Sequence, residues 1–245
     1  MPYWLLLLIL ICPIAFADDS SKEAQKIIED MEFLYRGVAS RATLTMTVIT
    51  PRHKRTLKMS SASLGQDYAL YRILEPKKES GISTLKREEE MWNYFPKINK
   101  VIKVPPSMMM GSWMGSDVTN DDLLRETELI DAYDVSMKIT ESEYVITLLP
   151  KSDTVTVWAK IDYIVNRKAM LPKEQIFYDE RDRKIRRMEF SETKEFEGTF
   201  LPSRISVTPI NKPGYKTIVE YTSLNFEPSD VEKNIFTRRN LTTRF

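Results

Sequence analysis

The chain has 245 residues, 36 Lys and Arg against 35 Asp and Glu, a formal net charge of +1 and one cysteine, Cys12. Near-neutral charge excludes the concentrated basic surface that a nucleic-acid partner needs. A lone cysteine excludes an intrachain disulfide, so the fold must be held by its core.

The chain opens on MPYWLLLLILICPIAFA, in which Leu5–Ile11 is an unbroken apolar run followed by Pro13 and by Ala15-Phe16-Ala17. An apolar run of about 7–15 residues ending in a small-x-small site reads as a secretory signal peptide, too short for the ~20 residues of a spanning helix. No Lys or Arg precedes the run, and Ile11 stands before Cys12 where a lipid-attachment site requires Gly, Ala or Ser. Residues 1–17 are therefore expected to be removed after Ala17. Export to the periplasm follows, with 18–245 as one cysteine-free, soluble domain.

Residues 20–36 carry a helix signal. Ser20 can cap it with Glu23 in the capping-box position, Ile27, Ile28, Met31, Leu34 and Tyr35 recur at helical spacing, and Gly37 is placed to end it. From residue 41 the period switches to two, starting with alternation across 41–48. Strand-like runs follow at 54–64, 67–74, 82–87, 90–95, 98–104, 134–140, 143–149, 154–164, 173–179, 184–194, 199–208 and 215–226, separated by Gly, Pro, Asn and Asp turns. One helix ahead of ten or more strands predicts a large antiparallel sheet that curls or closes. The basic clusters Lys54-Arg55, Arg181–Arg187 and Arg238-Arg239 read as solvated strand faces.

The segment from Pro105 to Glu128 breaks this meander. It holds Met108, Met109, Met110, Trp113 and Met114 with Gly111 and Gly115, and Thr119 or Asn120 can cap a short helix over 121–126. A connection this long within a domain is functional or disordered, and this one is too apolar for disorder. Methionine is flexible and polarizable and suits surfaces that must adapt to varied apolar ligands. The segment therefore reads as an apolar lid. The strand at Trp92, Tyr94 and Phe95 places Trp92 and Tyr94 on one sheet face by its period, and they are assigned to the concave interior.

Catalytic signals are missing. His53 is the only histidine and has no nearby thiol, and no G-x-S-x-G, P-loop or dinucleotide fingerprint occurs. The acid pairs at Glu88–Glu90 and Asp121-Asp122 suit solvated turns better than paired-carboxylate chemistry. No enzyme activity, catalytic residue, metal site or cofactor is expected.

The order of helix and strands, together with Met91-Trp92-Asn93-Tyr94-Phe95-Pro96-Lys97-Ile98-Asn99-Lys100-Val101 and Gly111-Ser112-Trp113-Met114-Gly115-Ser116-Asp117, resembles the outer-membrane lipoprotein-sorting proteins, the LolA-like family. The segments at Leu171-Pro172-Lys173, Arg183–Phe190 and Leu201–Ile205 fit as well, so the resemblance spans residues 18–245. It implies a mainly β (α+β) fold, an unclosed, strongly curved antiparallel half-barrel with an N-terminal amphipathic helix and a helix/loop lid over an apolar cavity. It further implies a monomeric carrier of lipoprotein or other lipid acyl chains, exchanging them with an envelope donor, acceptor or exporter. Trp92, Tyr94, Met108, Met109, Met110, Trp113 and Met114 would then line cavity and lid, and an arginine on an early strand would latch the lid. The same fold also implies a second reading, a lipid-responsive regulatory module.

Overall fold

The computed structural model describes residues 16–125 and 129–243. Of the expected leader, 1–17, residues 1–15 lie outside the described residues. The amphipathic stretch forms α1 (Phe16–Phe33), longer at its start than the periodicity indicates. It buries Ala24, Ile27, Ile28 and Met31 and leaves Lys26 outside, paired with Asp30 at 2.9 Å. Gly37, at φ +53°, returns its N–H to the Phe33 carbonyl at 2.8 Å and stops the helix, a left-handed conformation that glycine adopts without steric cost.

The first arm of the sheet is the meander β1 (Ala39–Thr50), β2 (His53–Leu64), β3 (Tyr68–Glu75), β4 (Ser83–Arg87), β5 (Glu90–Phe95) and β6 (Lys100–Lys103). The second comprises β7 (Tyr133–Ile139), β8 (Glu143–Pro150), β9 (Lys160–Asn166), β10 (Leu171–Tyr178), β11 (Lys184–Phe196), β12 (Thr199–Pro209) and β13 (Lys216–Phe226). Pairing of β1 with β13 joins the arms into one 13-stranded antiparallel sheet, β6-β5-β4-β3-β2-β1-β13-β12-β11-β10-β9-β8-β7. Edges β6 and β7 do not pair with each other, so the sheet curves without closing. Every expected strand is present. The strand expected from 154 begins only at Lys160, because Thr154 bonds the Ala132 carbonyl at 2.6 Å and Trp158 turns in to meet Phe177 at a tilt, with ring centres 5.0 Å apart.

The connection between β6 and β7, described at 104–125 and 129–132, is a crossing segment that joins the free edge of one arm to that of the other. It contains two 3₁₀ turns (Pro106–Met108 and Trp113–Gly115) and the helices α2 (Asn120–Arg125) and α3 (Leu129–Ala132). Together with α1 they cover the inner face of the sheet. Under the crossing segment lie Leu44, Met46, Leu57, Met59, Ile73 and Met91, and under α1 lie Ile146, Leu148, Ile161 and Phe177.

The outer face of the first arm is also covered. Ala62, Tyr68, Leu70, Leu85, Trp92 and Tyr94 pack against Val231, Phe236 and Leu241 of the C-terminal segment, which ends in α4 (Arg238–Leu241). This corrects the sequence expectation for Trp92 and Tyr94. Leu85 stands opposite both Leu70 and Trp92, so all three share one face, and the neighbouring Met91 carries the other. Trp92 and Tyr94 therefore turn away from the interior. Alternation fixed that they share a face, but an arm buried on both sides gives no sequence signal for which face is inner.

Candidate functional site

Between the inner face and its cover lies a cavity of about 170 Å³. Its floor comes from strands whose inward positions are aliphatic or aromatic, among them Leu44 and Met46 (β1), Phe177 (β10), Met188 and Phe190 (β11), Val207 (β12) and Tyr221 (β13). Its roof is Met31 of α1 and Tyr35 of the turn after it, with Trp113, Val118 and Leu123 of the crossing segment. Aromatic rings set its shape. Tyr35 stacks on Tyr221 at 5.0 Å and donates to the Pro202 carbonyl at 2.8 Å, and Tyr71 meets Trp113 edge-on at 5.4 Å. Such offset and edge-to-face pairs suit quadrupolar rings and give the walls fixed positions.

The crossing segment is tied to the sheet by a few polar contacts. Trp113 Nε1 donates to Thr84 Oγ1 at 3.0 Å, and Thr217 Oγ1 donates to Asp117 Oδ2 at 2.8 Å. Arg55 of β2, paired with Glu79 at 3.1 Å, donates to the Met114 carbonyl, and Lys86 donates to the Leu124 carbonyl. Inside the segment, Trp113 and Val118 bond across a tight turn at 2.7 Å, and the Asn120 side chain binds the Met108 and Gly111 carbonyls. Gly111 is needed there, since a Cβ would come within 2.9 Å of the Met108 oxygen.

Arg186 and Asp122 form the polar corner. The guanidinium grips the carboxylate through two bonds of 2.6 and 2.7 Å and lies 4.0 Å over Phe177 and 4.6 Å over Trp158. Burial alone would raise the Asp122 carboxyl. The Arg186 charge and bonds from Arg186 and Thr119 outweigh it and hold the group below its ordinary value. Both residues depart from the sequence reading. Arg186 is buried where a solvated face was expected, and Asp121 and Asp122 are turned in towards the cavity. The reason is that α2 lies roof-side down, so its first-turn acids meet the sheet instead of water.

Of the expected site residues, Trp113 lines the cavity, and Met109 and Met114 pack on the adjoining core. Met108 is 59% exposed, Met110 is half-buried, and Trp92 and Tyr94 lie behind the sheet. Exposed single positions change stability little, so Met108→Ser should stay within about 0.5 kcal/mol of the parent in denaturant titration. Sequence reasoning missed the strand-borne lining and the early-strand arginine that touches the roof, Arg55. Among the described residues, no group of three or more His, Cys, Asp or Glu is placed to hold a metal ion, and no helix is long and apolar enough to cross a membrane.

A family model described as "Uncharacterized protein" matches residues 65–243. The chain belongs to that family. No curated protein matches it significantly. Among solved structures, it resembles a DUF1329 family protein from Desulfovibrio piger (TM-score 0.80, 19% identity, 91% of this chain and 99% of that one). It resembles equally a putative outer membrane lipoprotein-sorting protein domain from Vibrio parahaemolyticus (TM-score 0.78, 19% identity, 91% and 100%). A LolA superfamily protein from Nitrosomonas europaea follows (TM-score 0.72, 20% identity, 89% and 98%). At these identities the likeness concerns the fold, and this family member has the LolA-like half-barrel.

Proposed function

We propose that this protein is a periplasmic carrier that holds acyl chains of lipoproteins or other lipids in the cavity under its crossing segment. The observation that carries this reading is the cavity itself, walled by aliphatic and aromatic side chains from both arms and roofed by a separate segment. Burying acyl chain returns about 0.8 kcal/mol per CH₂, so roughly 14 methylenes offer on the order of 10 kcal/mol with no covalent step. Binding is thus proposed in place of catalysis, and no cofactor is invoked.

The cavity, about 170 Å³, falls short of the roughly 300–1,000 Å³ of ordinary ligand sites. Loading a whole chain therefore requires the roof to move. The crossing segment is the element able to do so, being held by side-chain packing and scattered polar contacts while the floor is also held by strand ladders. Trp113, Met109 and Met114 would travel with it, their side chains adapting to ligand or to core.

Residues 18–245 act in this reading as one exported, monomeric binding domain. Mass spectrometry of protein purified from its own envelope tests both parts at once. The expected intact chain starts at Asp18 and releases about one lipid on extraction. A chain that keeps residues 1–17 overturns the export reading. A chain that yields no lipid and captures no fluorescent fatty acid overturns the carrier reading.

A further inference from the structure

Antiparallel order brings four turns to one end of the sheet: 51–52 between β1 and β2, 76–82 between β3 and β4, 96–99 between β5 and β6, and 210–215 between β12 and β13. They form a continuous row. A Cβ on Gly81 would lie 3.5 Å from the Pro96 ring, and one on Gly214 would lie 3.1 Å from the Pro51 ring. These turns carry five Lys or Arg, namely Arg52, Lys77, Lys78, Lys97 and Lys212, and the strand starts beside them add Lys54, Lys100 and Lys216. Their only acid is Glu79, which is paired with Arg55.

The opposite end of the same strands shows the reverse. Its turns at 65–67, 88–89, 197–198 and 227–230 hold Asp67, Glu88, Glu89, Glu197, Glu227 and Asp230, against Arg36 in the 34–38 turn and the neighbouring Arg87 and Lys233. A net charge of +1 thus conceals a strong charge separation along the strands of this arm. The turns of the other arm at the basic end, 151–159 and 179–183, show no basic excess.

Apolar side chains project from the basic rim: Ile98 is 58% exposed, Ile210 44% and Tyr215 38%. Valine 155, 80% exposed, stands on the 151–159 turn at the same end of the sheet. The rim also meets the tip of the crossing segment. Arg55 holds the Met114 carbonyl, and Asp117 is bonded by Thr217 and lies within electrostatic reach of Lys212.

We propose that this rim is a docking surface for an anionic lipid bilayer, which it meets with the roof tip facing the membrane. Lysines near such a surface are drawn to anionic headgroups, while neighbouring aliphatic and tyrosine side chains enter the interface. The acidic end is repelled, so the charge separation orients the molecule as well as attracting it. The inference rests on the fold and goes beyond the carrier reading: it names the surface from which a chain would enter or to which it would leave.

Vesicle flotation of the exported protein tests it, separately from ligand capture. The parent should float with phosphatidylglycerol-rich vesicles, lose that binding as salt rises, and stay free of phosphatidylcholine vesicles. The rim variant Lys77→Glu/Lys97→Glu/Lys212→Glu, changed only at exposed positions, should weaken the partition at least about tenfold. A variant with the same charge change away from the rim, Lys138→Glu/Lys168→Glu/Lys194→Glu, should retain most of it. Circular dichroism and fatty-acid capture, which the rim variant should keep, guard against loss of fold. Equal losses in the two variants, absence of vesicle binding at low salt, or binding to polyglutamate as tight as to the anionic vesicles each overturns the proposal.

Discussion

Trp113→Ala should destabilise the protein by about 3 kcal/mol, the low end for truncating a buried tryptophan, because its ring faces an existing cavity that shares the loss. The larger consequence concerns the roof. Trp113 is 4% exposed, meets Tyr71 edge-on, and carries the indole bond to Thr84 that ties the crossing segment to β4. Amide hydrogen exchange over residues 104–122 should speed up more than in strands β1 and β13, and a bound fluorescent fatty acid should leave at least about tenfold faster, the equivalent of ~1.4 kcal/mol. Thr84→Val, which removes only the hydrogen bond, should cost about 1 kcal/mol and give a milder version of the same pattern. Uniform acceleration across the sheet with unchanged ligand retention would show that the segment is ordinary core.

Asp122→Ala is expected to cost about 3 kcal/mol through a different cause: it leaves the Arg186 guanidinium buried without its counter-charge. The Arg186 side chain is 4% exposed and is held by its two bonds to Asp122. The double substitution Asp122→Leu/Arg186→Met should recover most of the loss, since removing both charges removes the desolvation cost with them. The sign of the pH dependence follows from the depressed Asp122 carboxyl. Its contribution is present above the ordinary carboxylate pKa and is lost as pH falls through the lower folded-state value, so acid should destabilise the parent more than the double variant. Urea midpoints of parent, single and double variants between neutral and acid pH measure this, and a single variant as stable as the parent would remove the corner from the roof's anchoring.

The thirteen strands with their antiparallel sense, and α1, could be read from the sequence, whereas Arg238-Arg239, read as a strand face, lies in α4, which packs on the outer face of the first arm. Period-two alternation at 41–48, 54–64 and 199–208, with turn residues between, leaves little else for the backbone to form, and the helical spacing of Ile27, Ile28 and Met31 sets α1 apart. The apolar character of the crossing segment, with Trp113 as part of it, was equally legible. These are local properties, fixed by the repeat of side chains along one stretch of chain.

Facing and burial were decided by tertiary packing. Trp92 and Tyr94 fill the outer layer because the C-terminal residues Phe236 and Leu241 return over β3–β5, a contact more than 130 residues away in sequence that no local pattern announces. Asp122 and Arg186 read as ordinary surface charges until α2 is laid against β11 and brings two positions 64 residues apart into a bidentate pair. The basic rim is likewise invisible in a chain of net charge +1, because its lysines are scattered over four turns that only the antiparallel ladder gathers at one end. Sequence determined which segments are strands and which faces alternate; the closure of distant segments onto one another determined which face became cavity, which became core and where charge accumulates.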